Sequence, residues 1–279
     1  MYPIKKVMTI HDMSCYGRAS LTSIIPIIST MGIQVCPLPT AVLSTHTGGY
    51  GKPMIEDLSD FMWGAKSHWK KLELEFEAIY TGYLANVAQV KIVSSIISEF
   101  KKEGQLIVID PVMGDEGAFY SSFGDEMVEA MRSFIKNATI ITPNITELAL
   151  LLNESYEDRF DFDKVDNWTK SVSELGIENI IVTSAPSRTG EKFIDTIVYS
   201  KVSGKLSRIS VEKVNMYYPG TGDAFTSVVI GKILNGETIE NSSIFASEFV
   251  FKAIKISNSY DYDYKEGILL EKVLGMLTK

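Results

Sequence analysis

QLIVIDPVMGDEG, residues 105–117, holds the pattern that decides the fold. Four consecutive apolar residues, Leu106 to Ile109, end at Asp110 and are followed at once by proline, glycine and a second carboxylate at Asp115. A strand with no polar residue on either face is a strand covered on both sides, as in a parallel sheet sandwiched between helices. The same grammar recurs in KKVMTI (5–10), EAIYTGYL (77–84), ATIITPN (138–144) and ENIIVTSA (178–185). Helical stretches lie between them: VAQVKIVSSIISEFKKEG (87–104) and WTKSVSELG (168–176), each closed by a glycine. This alternation predicts βαβ units and an α/β fold. FIDTIVYS (193–200) and KLSRISVEKV (205–214) read as an antiparallel pair, with helices over 222–235 and roughly 240–256 after them. Residues 33–51 carry two prolines and a glycine cluster, which suits an edge strand feeding a flexible flap. No linker, repeat or low-complexity segment divides the chain, so one domain over 1–279 is expected.

Composition narrows the partners. With 45% hydrophobic and 22% charged residues the chain reads as a packed globular enzyme. No segment approaches the roughly 20 apolar residues of a membrane helix, and Lys5 and Lys6 lead directly into the first strand, so a cytoplasmic protein without membrane contact is expected. Cys15 and Cys36 form no C-x-x-C pair and do not alternate with His11, His46 and His68 in a metal-binding order, so buried thiols are expected. A net charge of −8 argues against nucleic acid. It also means that any polyphosphate must be held locally, by helix N-termini, backbone amides and a divalent cation.

Ligands of open parallel sheets bind beyond the carboxyl ends of the strands, where loops converge. The polar clusters of this chain fall there: HDMS after the first strand, TGY at 81–83, DPVMGD at 110–115, TPNITE at 142–147 and VTS at 182–184. The turn YPGTGD (218–223) opens an apolar helix carrying Phe225, Val228, Val229 and Ile233. A helix N-terminus there offers unpaired amides to an anion, and Asp223 in the first turn is placed to accept a proton. Glycine and aspartate are equally at home there as ordinary helix-start residues. Asp110 and Asp115 on one short loop could hold magnesium or form a solvated acidic turn. Asn144 and Glu147 have the spacing of a capping box, which needs no function. Trp63, Trp69 and Trp168 read as packing residues.

Taken together and in order, TGY, DPVMGD, TPN with Glu147, VTS and GTGD resemble the pyridoxal kinase family of the ribokinase-like superfamily, over about residues 7–235. TIHDMSCYGRASL and LSTHTGGYG are similar to that family's vitamin-binding strand and flap, and the bacterial pyridoxamine or pyridoxine kinases are the most similar branch. The resemblance implies a three-layer α/β/α fold with a central, mostly parallel sheet and a small flap over the active site. It implies transfer of the γ-phosphoryl group of ATP to the 5′-hydroxymethyl group of a vitamin B6 compound. In that reading Asp223 is the catalytic base and the amides of Gly220, Thr221 and Gly222 form an anion hole. Asp110, Thr142, Asn144, Thr183 and Ser184 line the nucleotide phosphates, and Asp115 and Glu147 organise Mg2+. Thr47, Tyr83, Asp12 and His46 belong to the vitamin pocket, with His46 either shaping it or bracing the flap. A monovalent cation such as K+ and a homodimer are family traits that the resemblance also suggests.

The departure from the family is Asp12, where serine is common. A carboxylate there could accept from a protonated ring nitrogen or a cationic substituent, which would favour pyridoxamine, or it could simply act as a cap. Cys15, near the same strand end, reads as a small buried side chain. The nearest alternative activity is a hydroxymethylpyrimidine or hydroxymethylpyrimidine phosphate kinase, which shares the GTGD and TPN logic but not the STHTGGYG flap. A non-catalytic B6-binding protein would leave Asp223 and both acidic loops without purpose. A Rossmann dehydrogenase needs G-x-G-x-x-G after an early strand, a Walker-type site needs G-x-x-x-x-G-K-[ST], and neither is present.

Overall fold

A computed structural model describes residues 4–120, 123–156 and 161–278. The first half contains β1 (Lys6–Ser14), α1 (Leu21–Thr30), β2 (Gln34–Leu43), β3 (Ile55–Asp57), α2 (Ser59–Lys71), β4 (Ala78–Thr81), α3 (Val87–Phe100) and β5 (Leu106–Ile109). After a small hairpin, β6 (Gly114–Asp115) with β7 (Ala118–Phe119), come α4 (Asp125–Phe134), β8 (Ile140–Ile141), α5 (Ile145–Leu152) and α6 (Phe162–Ser173). The chain then forms β9 (Asn179–Pro186), β10 (Phe193–Ser200), β11 (Lys205–Glu212), α7 (Thr221–Leu234) and α8 (Ile239–Ser257).

Nine strands form one sheet in the order β11-β10-β9-β8-β5-β4-β1-β2-β3. The six from β9 to β2 are parallel, and antiparallel strands close both ends. Alternation along each strand feeds two cores. Met8, Ile79, Ile107, Ile109, Ile141 and Ile180 face a layer of α2 to α6, while Val7, Tyr80, Val108, Ile140 and Ile181 face α1, α7, α8 and the C-terminal turns. Two covered faces explain why LIVI has no polar residue. This is the α/β ribokinase-like architecture that the resemblance implies.

Several differences from the expectation have local causes. The stretch 33–51 forms a strand that is an edge only over its first half. Gln34 N donates to Lys5 O at 2.9 Å, so the amides of even-numbered residues face β1 while Pro37 and Pro39 turn their missing N–H outward. Farther along, β3 pairs with Ala41 to Leu43 and covers the edge. Pro26 lies inside α1, which hides that helix from a periodicity reading. Trp63 is exposed at 44%, whereas Trp168 is buried and Trp69 packs on Phe76.

The chain crosses from β1 to β2 on one side and to β4 on the other. The strand order therefore reverses at β1, and the cleft opens at its C-terminal end, where His11 and Asp12 lie. Ile96, fully buried on α3, lines neither of the two clefts at the rim. Ile96→Ala should cost about 2–5 kcal/mol in denaturant unfolding, with an unchanged m-value.

Candidate active site

Gly220 precedes α7 with φ of +78°, and a Cβ there would overlap the backbone of Arg18 and Ala19. Only glycine fits a left-handed turn so close to another backbone segment. The first helical bond is Ala224 N to Gly220 O at 3.0 Å. The amides of Thr221, Gly222 and Asp223 thus precede the helical ladder and present the positive end of α7 to the cleft.

Asp223 is held from two sides. Its Oδ1 lies 3.1 Å from His11 Nε2, and its Oδ2 accepts from Ser20 N at 2.6 Å. Burial opposes ionisation, but the charge and hydrogen bond of His11 and the Ser20 amide overcome it, so the Asp223 carboxyl sits below its usual range. Ser20 has φ 57° and ψ −144°, a region that side chains rarely occupy. Strain of order 1–3 kcal/mol is thereby stored in the residue that aims an amide at this carboxylate.

The loop after β1 and the flap close one wall. Asp12 has both oxygens engaged within the protein, Oδ1 with His11 Nδ1 at 2.8 Å and Oδ2 with Ser14 Oγ at 3.1 Å. His46 does both things considered for it: it lines the cleft, and its Nε2 donates to Lys265 O at 2.6 Å while Nδ1 accepts from Gly48 N at 3.1 Å. Between Ser44 and Met54 the flap is closed by paired hydrogen bonds at its base and tethered to the C-terminal segment through His46. Cys15 is exposed and Cys36 only half-buried, contrary to the expectation of buried thiols, because Cys15 lies beyond the last covered residue of β1.

The acidic loops form the opposite wall. The β6–β7 hairpin turns Asp115 into the cleft, and a Cβ on Gly114 would overlap the Ala118 carbonyl. Asn144 and Glu147 make the capping box that their spacing predicts, with Asn144 Nδ2 also donating to Gly114 O at 2.8 Å. Glu147 is buried and accepts from the amides of Asn144 and Met113 at 2.9 and 3.1 Å. Burial, then the neighbouring Asp110, drives its carboxyl well above the usual value. Burial also raises Asp115, and with the charge of Asp223 pushes Asp110 up to about 8. Thr142 accepts from Thr226 Oγ1 at 3.2 Å, and Thr183 pairs with Asn144 in an isolated bridge beyond β8. Ser184 follows with φ of +58°, a second strained non-glycine residue on the rim.

One cleft of about 230 Å³ brings together every site residue singled out from the sequence: Asp12, His46, Thr47, Tyr83, Asp110, Asp115, Thr142, Asn144, Glu147, Thr183, Ser184, Gly220, Thr221, Gly222 and Asp223. A second cleft of about 540 Å³ shares Asp115, Asn144, Thr183, Ser184 and Thr221 with it and continues between Ile194, Val211, Phe225, Val250 and Ile254. Residues 55–269 match the model of the phosphomethylpyrimidine kinase family. The chain belongs to this family. Over 99% of its length it is 42% identical to a Bacteroides thetaiotaomicron structure carrying that family's name, which spans 95% of that chain with a TM-score of 0.95. A second crystal form of that protein contains pyridoxal. A pyridoxal kinase from Lactobacillus plantarum is 28% identical over 98% of this chain and 96% of its own, with a TM-score of 0.88. Among curated proteins, the pyridoxal kinase of Dictyostelium discoideum is 27% identical over 81% of this chain and 77% of its own. This member of the ribokinase-like superfamily has no helix long and apolar enough to cross a membrane among the described residues.

His11 and the Ser20 amide were not singled out from the sequence. Ser20 N acts through the backbone and leaves no sequence signal. His11 stands in the sequence only as the first residue of the HDMS rim cluster, and Gly82 makes room for its ring, since a Cβ there would overlap it.

Gly220→Ala should lower unfolding free energy by at least ~1 kcal/mol, from left-handed strain plus backbone overlap, seen as a lower denaturant midpoint. For Asp110 the ordinary value is 3.8 and the folded value about 8, so the folded chain keeps a proton that the unfolded chain releases. Its contribution to stability is intact below about pH 3.8 and is lost as the pH rises toward about 8. Asp110→Asn should therefore match wild type in thermal midpoint near pH 4 and exceed it near pH 8.

Proposed function

We propose that this chain is an ATP-dependent kinase of vitamin B6, phosphorylating the 5′-hydroxymethyl group of pyridoxal, pyridoxine or pyridoxamine in the salvage of pyridoxal 5′-phosphate. The observation that carries the reading is Asp223, part-buried and with its carboxyl held below the usual range at the N-terminus of α7, where the two clefts meet. The smaller cleft, walled by Thr47, Tyr83, His46 and Asp12, takes the vitamin. The larger takes the nucleotide: its apolar wall suits a purine, and Asp110, Thr142, Asn144, Thr183 and Ser184 lie toward the phosphates.

In this arrangement the substrate hydroxyl gives its proton to Asp223 as its oxygen attacks the γ-phosphorus and the bond to ADP breaks. The amides at the start of α7 hold the charge on the moving phosphoryl group. Positioning and electrostatics suffice, because phosphoryl transfer requires little covalent work from the protein.

The lining of the smaller cleft contains five carboxylates and no lysine or arginine among the described residues. Lys213 lines only the larger cleft, so the γ-phosphoryl end of the nucleotide, reaching the carboxylates of the smaller one, needs a cation there, and the raised Asp110, Asp115 and Glu147 fit that need. Magnesium, organised by Asp115 and Glu147, would supply charge neutralisation for the ATP phosphates. We assign the protein to the cytoplasm, as one kinase domain that pairs into a homodimer, by analogy with its family.

The family model's name keeps hydroxymethylpyrimidine as a competing substrate. The vitamin reading is favoured by the closed STHTGG flap, with Thr47 on the cleft wall, and by relatives named as pyridoxal and pyridoxine kinases. ATP-dependent turnover should be measured with the three B6 compounds and with hydroxymethylpyrimidine. A B6 compound should give the highest kcat/KM, and Asp223→Asn should lower kcat by about 10²–10⁴-fold. Preference for hydroxymethylpyrimidine would replace this reading with its competitor.

A further inference from the structure

His11 is a buried histidine with a carboxylate on each ring nitrogen. Asp12 Oδ1 lies 2.8 Å from Nδ1 and Asp223 Oδ1 lies 3.1 Å from Nε2, and the residue is only 3% exposed. A neutral imidazole has one N–H, so one of its lone pairs would face a carboxylate lone pair with no water to separate them. A ring protonated at both nitrogens satisfies both contacts. The remaining oxygens are committed too, Asp12 Oδ2 to Ser14 Oγ and Asp223 Oδ2 to Ser20 N. The ring sits in a slot that exists because residue 82 has no side chain.

We propose that His11 is a positioning residue, an imidazolium clamped between Asp12 and Asp223 that fixes the Asp223 carboxylate in place and keeps it ionised. The proposal rests on the reading of Asp223 as the base. It gives Asp12 a purpose within the protein: the second carboxylate holds the proton on His11. Serine at that position would leave the histidine one anionic partner instead of two.

The need for such a clamp follows from the surroundings. The titratable groups facing His11 and its partners are Asp12 on the same strand, Asp223 from α7, Asp110 beyond β5, His46 from the flap and Tyr80 on β4, whose ring lies edge-on at 6.3 Å. Asp110 and Asp223 repel one another, and a buried base beside another carboxylate would hold a proton and lose its function. Burial alone would pull the His11 pKa down, but Asp223 and Asp12 overcome it and raise it to about 10. The ion-pair stabilisation is thus fully present below about pH 6.5 and lost as the pH rises through about 10.

Nitrogen NMR of the whole free enzyme tests the charge without substrate, since the chain has only three histidines, His11, His46 and His68. One imidazole should stay protonated at both nitrogens above pH 9, and that signal should vanish in His11→Gln. Titration of all three histidines below pH 8 would overturn the proposal. In steady-state assays His11→Gln should lower kcat by about 10²-fold with KM values nearly unchanged, and should move the acid limb of the kcat profile upward by about one pH unit or more. A uniform fall with an unmoved limb would reduce His11 to a structural role and overturn the proposal.

If His11→Gln does not fold, Asp12→Asn carries the test. The His11 midpoint should drop by more than about one unit, and an unchanged midpoint counts against the clamp. A wild-type enzyme that phosphorylates no B6 compound would defeat the proposed function while leaving the NMR result to stand or fall by itself.

Discussion

A parallel sheet buried on both faces leaves only its ends for chemistry, and this constraint organises the whole molecule. Side chains of β1, β4, β5, β8 and β9 alternate between two apolar layers that admit few polar groups. Polar residues therefore collect where the strands stop, and the loops after five strands meet at one rim. Because β1 is the strand at which the order reverses, the crevice opens over His11 and Asp12.

The rim is built against its own electrostatics. Burial makes Asp110, Asp115 and Glu147 resist ionisation, with Asp223 adding to it at Asp110 and Asp110 at Glu147, and no lysine or arginine lines the smaller cleft among the described residues. Backbone strain accumulates in the same place, at Ser20 and Ser184. Such features cost stability and persist because packing over-determines them. The C-terminal segment does part of that work: Arg18 N donates to Glu266 O at 2.8 Å, and Arg18 Nε pairs with Glu271 at 2.9 Å, which steadies the loop carrying Ser20. A segment far along the chain thereby fixes an amide at Asp223.

Much of this was legible from residue order. LIVI announced a strand covered on both faces, and GTGD before an apolar run announced a helix start at the rim. Other elements were hidden for identifiable reasons. Pro26 disguised α1, and β3 is too short to carry a period. Asn144 and Glu147 looked like a cap and are one, yet the same Glu147 also faces the cleft, so one spacing served two purposes.

Sequence by itself determined the layer architecture, the rim location of the polar clusters and the helix start at 220–223, because burial periodicity and turn chemistry are local properties of the chain. Tertiary structure alone decided the state of the titratable groups. Asp12 and Asp223 are 211 positions apart and His11 joins them only after β1 and α7 dock, because charge coupling depends on distance through space and on exclusion of water. Asp12, read in the sequence as either a contact for a cationic substrate or a simple cap, has both oxygens on His11 and Ser14 once that docking is complete.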